Sequence, residues 1–207
     1  MTRKSTCTTF AIALGAVALG ACSPGEAPVD NAAMANDMAV ANGTMADTAM
    51  PANSVGATSQ SVGFTGGDGA PLGSVTVTET AGGVTLAILA TGMPAGVHGI
   101  HLHEKGLCNG PKFESAGKHW NPGAKQHGRD NPAGAHAGDL ANLTVAADGG
   151  ASTSIPIAGA MMASGAMMLA DADGTALVVH AKADDYKTDP SGDSGDRIAC
   201  AVIAAPK

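Results

Sequence analysis

From about residue 59 the chain reads as a series of short runs in which apolar and polar positions alternate, the period of half-buried strands. The runs fall at 61–64, 74–78, 84–89, 97–103, 139–145, 152–157, 177–180 and 198–203. Turn signals separate them, among them Gly66-Gly67-Asp68-Gly69, Ala81-Gly82-Gly83 and Asp148-Gly149-Gly150. Eight short strands at regular spacing predict an all-β sandwich or barrel. Two stretches, 104–135 and 181–196, break the pattern with Gly, Pro, Asn, Asp, Ser and Lys, and are predicted to be long loops. Loops of that length inside a compact domain usually carry function. Met161, Met162, Met167 and Met168 read as apolar gap-fillers.

Upstream the texture differs. Arg3 and Lys4 precede an apolar run at 10–19, too short to span a bilayer, which is the pattern of an export signal. The run ends in Leu19-Gly20-Ala21-Cys22, which resembles the bacterial lipobox, whose cysteine is lipidated and becomes the first mature residue. The expected division is a signal peptide over 1–21, a lipidated Cys22 with a low-complexity tether over 22–58, and a folded domain over 59–207. The tether carries Met34, Met38, Met45 and Met50. Thioethers suit Cu(I), but a spacer is the preferred reading of them. Export decides the cysteines: Cys7 leaves with the signal and Cys22 takes lipid, so Cys108 and Cys200 are expected to pair in a compartment that permits it.

Composition narrows the chemistry. Aromatic residues make up 2% of the 207 positions, so the core must be aliphatic. The formal charge is −7, and no basic stripe interleaved with aromatics occurs, which excludes nucleic acid as a partner. All seven histidines lie between 98 and 180, a metal-site pattern rather than a core one. In His101-Leu102-His103 the two imidazoles share a strand face and can grip one ion. His98 has the other parity and is expected to be a buried structural residue bonded to backbone. His119, His127, His136 and Asp139 offer three imidazoles and a carboxylate, a tetrahedral zinc set that would also pin the first long loop. His180 arrives from a distant strand end.

Several motifs then point to one family. Gly96-Val97-His98-Gly99-Ile100-His101-Leu102-His103 resembles the signature of Cu,Zn superoxide dismutases, with Ile100 where Phe is usual. Gly117-Lys118-His119-Trp120-Asn121-Pro122 resembles the segment around that family's metal-bridging histidine. Gln126-His127-Gly128 and His136-Ala137-Gly138-Asp139-Leu140 resemble its zinc loop. The strings from Val178 to Asp185 and from Gly195 to Cys200 resemble its last copper-ligand strand and its arginine–disulfide segment. Similarity covers roughly residues 60–205, and the exported bacterial branch is the nearest match in style.

The resemblance implies an eight-stranded Greek-key β-barrel with a metal loop and an electrostatic loop. It implies copper on His101, His103, His119 and His180, and zinc on His119, His127, His136 and Asp139, one ion of each per subunit. His119 would bridge the two metals and pass a proton; Asp184 would orient His101 and His127; Arg197 would guide superoxide, with pairing to Asp193 or Asp196 as the structural alternative. The implied reaction converts superoxide to dioxygen and hydrogen peroxide. The site implied is the periplasmic side of a bacterial envelope, anchored to the outer membrane by lipid on Cys22, and a homodimer is compatible with it. The basic residues of the mature chain crowd into the two long loops, Lys105, Lys112 and Lys118 among them, and a local positive funnel on an acidic protein is expected. The rival class is a copper-binding or copper-delivery lipoprotein built on the same domain; the full ligand set, with Asp184 and Arg197, favours catalysis.

Overall fold

In the computed structural model, residues 57–207 are described; the signal segment, Cys22 and nearly all of the tether lie outside them. The described part is all-β apart from one 3-10 turn at Glu114–Ala116. Its strands are β1 (Thr58–Gly66), β2 (Pro71–Thr80), β3 (Gly83–Ala90), β4 (Gly96–His98), β5 (Ile100–His103), β6 (Leu143–Val145), β7 (Ala151–Ala158), β8 (Thr175–His180) and β9 (Arg197–Ala204). A seven-stranded antiparallel sheet runs β5-β8-β9-β1-β2-β3-β7, and β4 pairs with β6. The chain leaves β3, crosses through β4, β5 and β6, and returns as β7 beside β3, a Greek-key path.

Nine strands form where eight were expected, because the single run 97–103 divides at Gly99. The Gly99 amide donates to the Lys182 carbonyl (2.7 Å), and its own carbonyl accepts from the His180 amide (2.8 Å). A Cβ at Gly99 would crowd Ser194 and Asp184, so the chain can change sheets there only as glycine. The run 139–145 is also shorter than its pattern suggested: only Leu143–Val145 is strand, and Asp139 forms an isolated bridge with His101.

The core follows strand parity. Val75 and Val77 on β2 and Val84, Leu86 and Ile88 on β3 point inward with Phe64, Ile100, Leu102, Leu177, Val179, Ala201 and Ile203. β8 is buried along its whole length, since both of its faces are covered. Leu177 and Val179 face the barrel interior, while Ala176 and Val178 join Phe113, Ala116 and Cys200 in a second cluster beneath the first long loop. Met162 and Met167 pack against the main core as gap-fillers, whereas Met161 and Met168 pair with each other in a bridge outside it.

A disulfide joins Cys108 to Cys200 across 92 positions and fastens that loop to β9. Closing so long a loop restricts the unfolded chain by about 4–5 kcal/mol in the chain-entropy account. Cys108→Ser is therefore expected to lower the unfolding free energy of the metal-free protein by several kcal/mol, read from the urea midpoint. A midpoint equal to that of the parent would show that the bridge adds no stability.

Candidate metal centre

Parity places the candidate ligand side chains of β5 and β8 on the outside of the barrel, under the loops. Ile100 and Leu102 enter the core, so His101 and His103 face outward, opposite Val178 and Ala176 of β8. His180 leaves the end of β8 on that same outer face, opposite Arg197. The first loop brings His119 across to bridge His103.

Four ring nitrogens converge there, one each from His101, His103, His119 and His180, all within 4.8 Å of one another. Nδ1 of His101, Nε2 of His103 and Nε2 of His180 are buried and have no hydrogen-bond partner. Three orphaned polar atoms aimed at one point are costly unless something fills it. The other nitrogen of each ring is fixed: His101 Nε2 donates to Asp184 Oδ2 (2.8 Å), His103 Nδ1 to the Gly117 carbonyl (3.0 Å) and His180 Nδ1 to the Gly195 carbonyl (3.1 Å). Those bonds set the tautomers and leave the converging lone pairs free. Burial depresses the basicity of all four rings, to about 4 for His119 and about 3 for His180, so neutral imidazoles are presented at pH 7. A nitrogen cluster of this kind fits copper.

A second cluster adjoins the first. Asp139 Oδ1 stands 2.9, 3.0 and 3.1 Å from Nδ1 of His119, His127 and His136, and His136 Nδ1 is 3.4 Å from His119 Nδ1. Tetrahedral zinc with ligands at about 2.0–2.1 Å separates them by about 3.3 Å, which these edges match. Proximity alone also groups His101 with His119, His127 and Asp139. His136 completes the set better, because His101 Nε2 is committed to Asp184. Asp139 Oδ2 accepts from the amides of Gly128 and His136, which turns Oδ1 toward the ion. His119 belongs to both clusters, its Nδ1 to the zinc side.

His98 is bonded to backbone, as expected: its ring nitrogens contact the carbonyls of His180 and Pro94, both at 2.8 Å. Arg197 pairs with neither Asp193 nor Asp196; Nη1 donates to the Phe113 carbonyl (2.7 Å) and Nη2 to that of Gly117 (2.6 Å). It lines an open pocket with His119, His136, Lys118, Lys125, Glu104 and Asp189. Of the lysines expected to form the funnel, Lys118 lies on this pocket, Lys112 lies on a second pocket that Arg197 also lines, and Lys105 lines neither of these two.

Three contributors escaped the sequence. Asn142 clamps the backbone of Asp184 through both its side-chain atoms, and its amide donates to the Tyr186 hydroxyl. Asp189 accepts from the His127 amide (2.6 Å). These residues tie the chain between β5 and β6 to the second long loop; Tyr186 and Asp189 sit in the 185–192 run that resembles the exported bacterial branch, but nothing in that run assigns them these partners.

The zinc side carries a measurable proton. Burial works against charge on His127, but Asp139 and Asp184 outweigh it and raise its pKa to about 9. The metal-free ring is then cationic at pH 7, and zinc must displace its proton. Zinc binding at pH 7 is expected to release about one proton from this ring, and affinity to rise about tenfold from pH 7 to 8. Calorimetry in buffers of differing ionisation heat reads both; zero release would show that His127 is already neutral.

The family model described as copper/zinc superoxide dismutase (SODC) matches residues 72–203. The Cu-Zn superoxide dismutase of Caulobacter vibrioides is 47% identical over 140 residues, covering 66% of this chain and 80% of that one. Among solved structures, a SOD-like protein from Bacillus subtilis superposes with a TM-score of 0.67 at 37% identity, covering 72% of this chain and 99% of the other. The Cu/Zn superoxide dismutase from Brucella abortus gives 0.56 at 30% identity, covering 70% and 99%.

Proposed function

The chain belongs to the copper/zinc superoxide dismutase family and is a superoxide dismutase that uses copper and zinc, and from that premise we propose which residues hold each metal and how they act. Copper is held by His101, His103, His119 and His180, and zinc by His119, His127, His136 and Asp139. The observation that carries this is the set of three buried, unpartnered nitrogens converging beside His119.

Bound copper would supply the one-electron couple by which two superoxide ions and two protons become dioxygen and hydrogen peroxide. The chain supplies the rest. His119 would be held at Nδ1 from the zinc side, beside Asp139, which leaves Nε2 as the atom that could hold a proton and pass it to the product. Asp184 keeps the proton of His101 on Nε2, so that Nδ1 stays a lone pair. Arg197 presents a permanent charge to a small anion in the pocket beside His119. With Arg197, Lys118 and Lys125 set three positive groups on that pocket against the carboxylates of Glu104 and Asp189, which accept from the amides of Lys118 and His127. Replacing both lysines with Gln is expected to lower kcat/KM several-fold at low salt and to flatten its salt dependence. An unchanged salt slope would remove them from steering.

Loading the metal-free chain with one equivalent of each metal should restore dismutation, and zinc alone should restore none. Tight binding of both metals without turnover would favour copper handling instead. We further propose periplasmic placement through lipid on Cys22, supported by the signal-like start and the lipobox-like Leu19–Cys22 string. Cys22→Ser should then move the protein from the membrane fraction to the soluble one. Pairing of two copies is compatible with this reading, and sedimentation of the loaded enzyme tests it.

A further inference from the structure

Arg197 reaches the metal-side pocket from β9, and the groups that aim its guanidinium are two carbonyls of one short segment, those of Phe113 and Gly117. The Gly117 carbonyl also accepts from His103 Nδ1, so the segment touches the copper side as well. Phe113 has φ 54° and ψ 28°, the left-handed region that a bulky residue enters only under constraint. That conformation turns its carbonyl toward Arg197 while its amide donates to the Asn109 carbonyl, and the 3-10 turn Glu114–Ala116 then carries the chain to Gly117. The constraint is visible: the Phe113 ring is 1% exposed and packs in the cluster of Ala116, Ala176, Val178 and Cys200, with Cys108 against it.

We infer that Phe113 is a positioning residue for Arg197, its ring wedged between the disulfide and the outer face of β8 so that its carbonyl, with that of Gly117, points the guanidinium into the pocket beside His119. The inference rests on the reading of Arg197 as the anion guide. Nothing in the ring touches substrate; it acts through the backbone it fixes. The disulfide alone is a poor substitute, because Cys108 lies five positions upstream and leaves the intervening chain free to turn.

The test uses the full-length, metal-loaded protein with Phe113→Gly, Phe113→Leu, Arg197→Ala and the Phe113→Gly/Arg197→Ala pair. Glycine accepts the left-handed backbone without the ring, and leucine keeps an apolar wedge. Azide is the anion probe, and nitrogen NMR of the arginine side chains in the reduced protein follows the guanidinium directly, since the chain has only Arg3, Arg129 and Arg197. Phe113→Gly is expected to weaken azide binding and lower kcat/KM by about fivefold to tenfold, toward the Arg197→Ala level, and to speed exchange at the Arg197 side chain. Its zinc content and oxidised-copper spectrum should match the parent, Phe113→Leu should restore most of the loss, and the pair should fall no further than Arg197→Ala. Parental azide affinity and Arg197 exchange in Phe113→Gly would overturn the inference. So would a changed copper spectrum, which would place the ring's effect on the metal rather than on Arg197. If Arg197→Ala itself keeps parental azide affinity and rate, the reading of Arg197 falls, and the Arg197 signal in Phe113→Gly still reports separately whether the ring holds it.

Discussion

His180→Ala is expected to lose copper and, with it, at least two orders of magnitude of dismutation, while zinc stays bound. The ring is one of four that converge on the copper position, and its Nε2 is buried with no partner in the protein. Its Nδ1–H is spent on the Gly195 carbonyl, so no tautomeric change can recruit the other nitrogen without breaking that bond. Burial pushes its pKa down to about 3, so protons do not compete for the ring at neutral pH. Removing it leaves three nitrogens, a gap that water can enter, and no neighbouring donor to replace it. The zinc set shares only His119 with the copper set, so zinc content should hold at about one per chain. Metal analysis after dialysis, beside the rate of superoxide consumption, reads both. A variant that keeps stoichiometric copper and the parental rate would strike His180 from the ligand set.

That histidine was legible in the sequence through its family motif and its place at a strand end, where it completes the ligand count. In the fold Leu177 and Val179 face the core, so His180 lies on the outer side with Val178. Strand alternation put His101 and His103 on one face, but it carries nothing for His98, which lies on β4 across the break at Gly99. The loop residues His119, His127, His136 and Asp139 were legible through residue type and family spacing, without any period to place them. Other features were closed to that kind of reading. The break at Gly99 depends on how near Ser194 and Asp184 come, nearly a hundred positions away. Asn142, Tyr186 and Asp189 tie loop to loop through backbone amides and carbonyls, and any polar residue in a loop looks alike until its partner is known. Arg197 was legible as a charge near the disulfide, but its partners are carbonyls, which every residue has. Charge counting likewise gathered Lys105, Lys112 and Lys118 into one funnel, whereas Lys118 and Lys112 line two different pockets that share Arg197, and Lys105 lines neither.

Asp184→Asn carries the second large effect, because one carboxylate holds a ring of each proposed metal set. Oδ2 accepts from His101 Nε2 (2.8 Å) and Oδ1 from His127 Nε2 (3.0 Å), and Oδ1 also takes the Tyr186 amide (2.6 Å). Burial opposes its ionisation, but these donors hold its pKa well below the usual carboxylate range. An amide of the same shape has one oxygen and one NH2. Whichever ring meets the NH2 must turn its Nε2 into an acceptor and move its proton to Nδ1, the atom that His101 offers to copper and His127 to zinc. One of the two metals therefore loses a lone pair. The side chain has no easy escape: Asn142 holds the backbone of Asp184 on both sides, and Gly192 packs so close that a Cβ there would strike the carboxylate and the His127 ring. The expected result is a loss of about 10–100-fold in affinity for copper or zinc, with the disulfide and strands intact. Competition titrations of each metal, run beside a near-parental melting curve of the metal-free variant, separate loss of orientation from loss of fold. Unchanged affinity for both metals would mean that the two rings keep their tautomers without Asp184, and that the clamp formed by the two loops is enough to aim them.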